Sequence, residues 1–162
     1  VGLLVTIPGV GELTAEVVLS EIGLDMGRFP SAGHLISWAG LCPRQDESAG
    51  KRRSTRLKKG APWLKTALVQ AAWAAVRKKH SYFNAQFQRL RGRRGAKKAI
   101  CAVAASILTA IYHMLNDGTA YADLGPDHFR RNEPMIRAKA LARQIERLGF
   151  TCSLSPAAPV SI

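Results

Sequence analysis

The chain has 162 residues, with 24 Lys or Arg against 11 Asp or Glu, a formal charge of +13 and 47% hydrophobic content. That is one modest domain or two small ones with enough apolar material for a core, and it excludes a chain too polar to fold. A foldable chain this basic suits a polyanion, and nucleic acid is favoured over a membrane: the longest apolar run, Ala99 to Leu115, carries Ser106, Thr109, Tyr112 and His113 and falls short of the roughly 20 residues a span needs.

The chain opens in mid-pattern with VGLLVTIPGVG and has no initiator Met, signal peptide or targeting tail, so it reads as a C-terminal fragment. Leu3 to Thr6 end a helix that Pro8 terminates, and Glu12 to Ile22 restart one with Leu13, Val17, Val18 and Ile22 on its buried stripe. Pro30 to Leu41 is a helix burying Leu35, Trp38 and Ala39 and ending at Gly40. The basic loop PRQDESAGKRRSTRLKKG, residues 43 to 60, follows.

Pro62 suits the first turn of a mostly buried helix running to about Lys79. Leu64, Leu68, Ala71, Ala72 and Ala75 form its stripe, widened by Trp63, Val69, Trp73 and Val76. A shorter helix carries Phe83, Phe87 and Leu90, and RLRGRRGAKK breaks it with Gly92 and Gly95. A long helix then repeats Ile100, Val103, Ala104, Ile107, Leu108, Ile111 and Leu115 at helical spacing. Gly118 to Glu133 is a loop, Pro134 to Leu148 a last helix with Leu141, Ile145 and Leu148 inside, and 151–162 a flexible tail. No alternating strand pattern stands out. The expected fold is mainly α, a compact helical domain over 1–150 with a helix-hairpin-helix at about 3–22, a basic loop at about 43–60, a helical core at about 62–117 and a terminal helix at about 134–148.

Cys42, Cys101 and Cys152 are far apart, without CxxC spacing or a companion histidine, which fits a reducing cytosol and no structural zinc. IPGVGELTA fits a helix-hairpin-helix, in which Gly9 and Gly11 let backbone N–H groups meet a phosphate. The plainer reading is a tight turn between packed helices, and Glu12 would repel a phosphate at the second helix's start.

From Arg44 to Lys98 lie 17 of the 24 basic residues and only two acids, Asp46 and Glu47. Arg77, Lys78 and Lys79 suit a solvated helix end. The clusters punctuated by glycine are better phosphate contacts: Arg44, Lys51, Arg52, Arg53, Arg56, Lys58 and Lys59 in one, Arg93, Arg94 and Lys97 in the other. If on the order of six cations neutralise phosphates, the log–log salt slope is about −5.

Ser48 sits among these cations, which could stabilise a phosphoryl-transfer transition state. A nucleophilic serine must also lose its proton, and neither Asp46 and Glu47 nor His34, His80, His113 and His128 supply a dyad or triad spacing. On residues alone a loop serine remains the simpler reading. The other acids are scattered and form no two-metal carboxylate set, so any metal's ligands would lie elsewhere.

The order IPGVGELTAEVVLSEIG, RFPSAGHLISWAGLCPRQDESAGKRR, RLKKGAPWLKTALVQAAW resembles the C-terminal transposase domain of the insertion-sequence 110 family, the 116/110/902 type, from Thr6 to about Leu148. Each piece is weakly specific; the ordered set is strongly so. The resemblance implies a DNA recombinase guided by a bridge RNA, whose serine attacks DNA and becomes linked to its phosphate. It also implies an N-terminal RuvC-like domain, absent from this chain, that binds Mg2+ through acidic residues. Carried across, the family's serine falls on Ser48, followed by Ala49, Gly50 and Lys51, with Ala49 where glycine is usual; Ser54 is the competing serine, and Ser31 belongs to a helix start. The partners implied are DNA, guide RNA, the RuvC-like domain and further copies of the full-length chain, in the bacterial cytoplasm beside the nucleoid and with no membrane. The rivals are a non-catalytic helix-hairpin-helix module that binds nucleic acid and a domain whose apolar helices mainly assemble an oligomer.

Overall fold

The computed structural model describes residues 1–43, 46–48, 50–54, 56–57, 59–129 and 133–155, and of 46–48, 51–54, 133–137 and 140 the backbone only. It divides into two compact units, Val1–Pro126 and Asp127–Ile162.

In the first unit, α1 (Gly2–Val5) and α2 (Glu12–Ile22) are joined by a turn through Pro8 and Gly9. A 3-10 turn (Met26–Arg28) leads to α3 (Ala32–Trp38). Beyond a two-stranded excursion come α4 (Pro62–Ala75), α5 (Tyr82–Arg94) and α6 (Ala96–Asp117). The mainly α expectation holds.

The longest helix, α6, is the axis on which α3, α4 and α5 pack, while α2 packs on α4. Ile100, Val103, Ala104, Ile107, Leu108, Ile111 and Met114 are its buried side, each large side chain worth about 1.5–3 kcal/mol of apolar burial. Leu115, expected inside, is only partly buried beside Met114. By length and composition α6 could cross a bilayer, so it exceeds the short span read from the sequence, yet its apolar positions are those of this core. Gly118, in the left-handed region at φ 66, ends it.

The stripe on α4 is as expected, with Leu64, Leu68, Ala71, Ala72 and Ala75 all buried. The helix stops at Ala75 rather than near Lys79. Asn84 explains where the released backbone goes: its Nδ2 donates to Val76 O at 2.6 Å, while Ser81 Oγ donates to Lys78 O at 2.8 Å and accepts from Asn84 N at 3.2 Å. One short corner thus satisfies the end of α4 and caps α5.

Four expectations need correcting. Leu13, Trp63, Trp73 and Trp38 are exposed, Leu13 at 76% and Trp63 at 74%, because the neighbours cover a narrower arc of α2, α3 and α4 than the apolar stripe spans. Gly92 does not break α5, which continues to Arg94 and ends at Gly95, φ 79; one glycine inside a helix costs only about 1 kcal/mol. A strand pair exists where no strand was expected: β1 (Asp46–Ser48) and β2 (Lys51–Ser54) are antiparallel. Their charged sequence carries no apolar alternation, since among the described residues they pair with each other and contact no helix extensively.

In the second unit α7 spans Glu133–Arg147, and Gly149 at φ 90 follows its end. The fourth correction is here: Leu141, Ile145 and Leu148 are exposed, and among the described residues of α7 Ala142 is the buried one. Residues 151–155 have no regular structure, and 156–162 of the expected tail lie outside the described residues.

Candidate functional site

The basic segment leaves the core and returns to it at one point. A Cβ on Gly60 would lie 2.4 Å from Gly40 N, 2.5 Å from Ala39 C and 2.6 Å from Trp38 O, so only glycine permits this approach to the end of α3. Above this root Pro43 and Leu57 form an isolated bridge. The strands then pair Asp46 with Ser54, Glu47 with Arg52 and Ser48 with Lys51, the register shifting between Asp46 and Glu47. Ser48 is thus the last paired residue of β1, two residues from Lys51 across a turn in which Gly50 has φ 72, the sign that tight hairpin turns demand.

The side chains of Ser48, Ser54, Lys51, Arg52 and Arg53, and residues Arg44 and Lys58 entirely, lie outside the described residues. Arg56 and Lys59 are exposed.

Arg93, Arg94 and Lys97, expected in a loop, instead sit on two helices that meet at a corner. Arg91, Arg93 and Arg94 occupy the last turn of α5, and Lys97 and Lys98 the first turn of α6, all exposed. The α5 end is favourable for cations, whereas two lysines at the start of α6 oppose its dipole. Gly95 gives α6 no side-chain cap, and its first turn holds no acid, so the corner combines five cations with open helix N–H groups.

Gly9 and Gly11 differ. At φ 85, a Cβ on Gly9 would meet Ala71 O at 2.3 Å and Ala75 N at 2.5 Å, which makes Gly9 the point where the turn touches the backbone of α4. Gly11, at φ −90, precedes α2 without a side-chain cap and faces open space. Glu12 is in the first turn.

Sequence reading missed a second feature of the first unit, a groove of about 360 Å³ lined by Tyr82, Ser106, Thr109 and Tyr121. Burial raises the pKa of Tyr82, with a hydrogen bond to Ser106 and the charge of Arg89 opposing. It raises that of Tyr121 further, helped by the charge of Asp123 and by Tyr82, so both hydroxyls keep their protons at neutral pH. The thiol of Cys101 is also pushed up by burial, against Lys65. Among the described residues no group of three or more His, Cys, Asp or Glu could hold a metal ion.

Residues 1–88 match the model of the transposase IS116/IS110/IS902 family, more than half of the chain. The chain belongs to this family. The match takes in the helical turn, the strand pair and α4 and stops within α5. This overturns the expectation of a C-terminal family domain running from Thr6 to about Leu148: the likeness to the family lies in the N-terminal part of this chain. The corner carrying Arg93, Arg94 and Lys97 is beyond it.

Among relatives, an insertion element IS110 protein of 43.6 kDa from Streptomyces coelicolor is 33% identical over 128 residues, covering 76% of this chain and 31% of its own. A probable family 20 transposase of Pseudomonas aeruginosa is 30% identical over 122 residues, 73% of this chain and 36% of its own. A pilin gene-inverting protein of Moraxella bovis is 32% identical over 122 residues, 74% of this chain and 38% of its own. The chain spans about a third of the length of these curated relatives.

Proposed function

We propose that this chain is the nucleic-acid-holding and strand-joining region of a DNA transposase, with Ser48 as the nucleophile. The observation that carries the reading is the position of Ser48 at the end of β1, in register with Lys51, within a family of transposases. A two-stranded hairpin is of a size to enter a DNA major groove, and it brings the cations of β2 with it.

In the step proposed, Ser48 Oγ gives its proton to a base and bonds to phosphorus, and the P–O bond to the departing strand breaks, its oxygen taking a proton. The phosphodiester's energy is kept in the serine link, and attack by another strand's hydroxyl releases Ser48. Lys51, Arg52 and Arg53, with Arg44, Arg56, Lys58 and Lys59, stabilise the charge spread over the phosphoryl oxygens. The described residues do not fit a divalent cation, and no step is routed through one. A RuvC-like domain outside this chain supplies Mg2+ and the base in this reading, and a guide RNA chooses the target. Gly11 and the start of α2 act as a helix-hairpin-helix phosphate clamp, and the corner of Arg93, Arg94 and Lys97 holds backbone. Assembly of several full-length copies brings two DNA strands together.

The test uses the full-length protein with its RNA and DNA substrates. Ser48→Ala should abolish strand exchange and the covalent protein–DNA adduct while changing DNA affinity less than about threefold. An adduct that persists refutes the assignment and directs attention to Ser54. The exposed cationic corner, which needs no nucleophile to hold a polyanion, favours a second reading, a non-catalytic binding module; wild-type protein that binds DNA but never forms an adduct would establish it.

A further inference from the structure

The groove between α5, α6 and residues 118–125 has no part in strand joining. Its walls are aromatic: Phe83 and Tyr121 stack with ring centres 5.6 Å apart and planes 17° apart, and Tyr82 meets Phe83 edge-on at 5.6 Å. The segment that closes it is fastened at two points, with a third hydrogen bond inside the segment. Thr6 Oγ1 accepts from Tyr121 N at 3.1 Å, and Asp123 Oδ1 accepts from Tyr82 N at 2.9 Å and Gly125 N at 2.8 Å. The groove is a built part of the first unit.

Its lining carries both donors and acceptors, since Tyr82, Tyr121 and His113 belong to it. Thr109 gives its hydroxyl hydrogen to Ala105 O at 3.0 Å, and Ser106 gives its own to Ala102 O at 3.2 Å while accepting Gln86 Nε2 at 2.8 Å. The Thr109 hydrogen turns into the helix, so Thr109 Oγ1 offers lone pairs. Donors and acceptors set beside aromatic rings suit a flat, neutral group that carries both. At about 360 Å³ the groove is at the small end of ligand sites, the scale of one heterocycle.

We propose that this groove holds a single unpaired nucleobase bearing an exocyclic amino group, stacked on the Tyr121 ring and donating N–H to Thr109. The inference rests on the reading that the chain binds nucleic acid, and it adds to that reading a place where a base is taken out of its stack.

The 162-residue chain is titrated at low salt with two end-labelled single-stranded oligonucleotides, one containing 2-aminopurine and one with an abasic residue at that position. Anisotropy of the end label reads total binding, and 2-aminopurine emission reads stacking. The wild type should prefer the base over the abasic strand about fivefold or more, with emission quenched on binding. Thr109→Val, which removes the acceptor at constant shape, and Ala120→Leu, which narrows the groove at an exposed lining position, should erase the preference and the quenching while leaving affinity for the abasic strand unchanged. Equal affinity for both strands without quenching overturns the groove proposal while the nucleic-acid reading stands. Full preference and quenching in both variants also overturns it, because the base then sits elsewhere. If neither strand binds, the nucleic-acid reading fails and this inference falls with it.

Discussion

Gly9 and Gly11 look equivalent in the sequence, and alanine substitution separates them. At Gly9 the new Cβ would stand 2.3 Å from Ala71 O and 2.5 Å from Ala75 N, both backbone atoms of α4, at φ 85. Overpacking costs about 1–3 kcal/mol, and a left-handed conformation adds roughly 1 kcal/mol for alanine. The sum, about 2–4 kcal/mol, lowers the melting temperature by on the order of 8–16 °C for a unit of this size. At Gly11 the Cβ enters open space at φ −90, so Gly11→Ala should stay within about 0.5 kcal/mol of the wild type. Thermal melting measures both. DNA binding then isolates the backbone clamp, because Gly11→Ala crowds the open N–H groups of α2 without unfolding anything: affinity should fall about threefold or more and the salt slope should shrink by about one. A melting temperature for Gly9→Ala within 2 °C of the wild type would refute the contact with α4. Unchanged DNA affinity in Gly11→Ala would refute the clamp.

Gly60→Ala should destabilise by about 2 kcal/mol or more through its clash with the end of α3, whereas Gly50→Ala, at φ 72 in open space, carries only the conformational cost of about 1–2 kcal/mol, confined to the strand pair; melting and hydrogen exchange distinguish them. Asn84→Ala leaves Val76 O without its 2.6 Å partner and should cost about 1–2 kcal/mol in chemical denaturation. Tyr121 has a pKa raised above the ordinary 10.0 by burial first, so its contribution to stability is whole below that pH and is lost as pH rises from there through the folded value; Tyr121→Phe should show a shallower alkaline loss in urea melts. The thiol of Cys101, above the ordinary 9.0 because it is buried, should be alkylated more slowly than a free cysteine at about pH 8, its rate still climbing past the usual thiol range.

The stripes of α4 and α6 were legible because burial there follows helical period, and Leu64, Leu68, Val103 and Ile107 recur where period alone puts them. Period does not say how wide an arc the neighbours cover, which is why Leu13 and Trp63, on apolar faces, lie in solvent. The order of the motifs singles out Ser48 as the proposed nucleophile, but the strand pair that carries it was not legible, since charged strands outside a core show no alternation. The corner at Gly95 was misread because Gly92 resembles a break and is tolerated inside α5. The Gly40–Gly60 approach and the groove were invisible for one reason: each unites residues far apart in the chain, Tyr82 with Ser106 and Tyr121, through helix packing that no local window contains.

The root at Gly40 and Gly60 also has a mechanical meaning. β1 and β2 pair over Asp46–Ser48 and Lys51–Ser54, so any load on the tip acts on an arm of paired strand. With a flexible base that load would bend the loop and go no further. Here the arm is clamped between the end of α3 and the approach to α4, and both helices bear on α6. A load on the tip would therefore pass through Gly40 and Gly60 into the core as a whole, and the tip would keep its aim under tension.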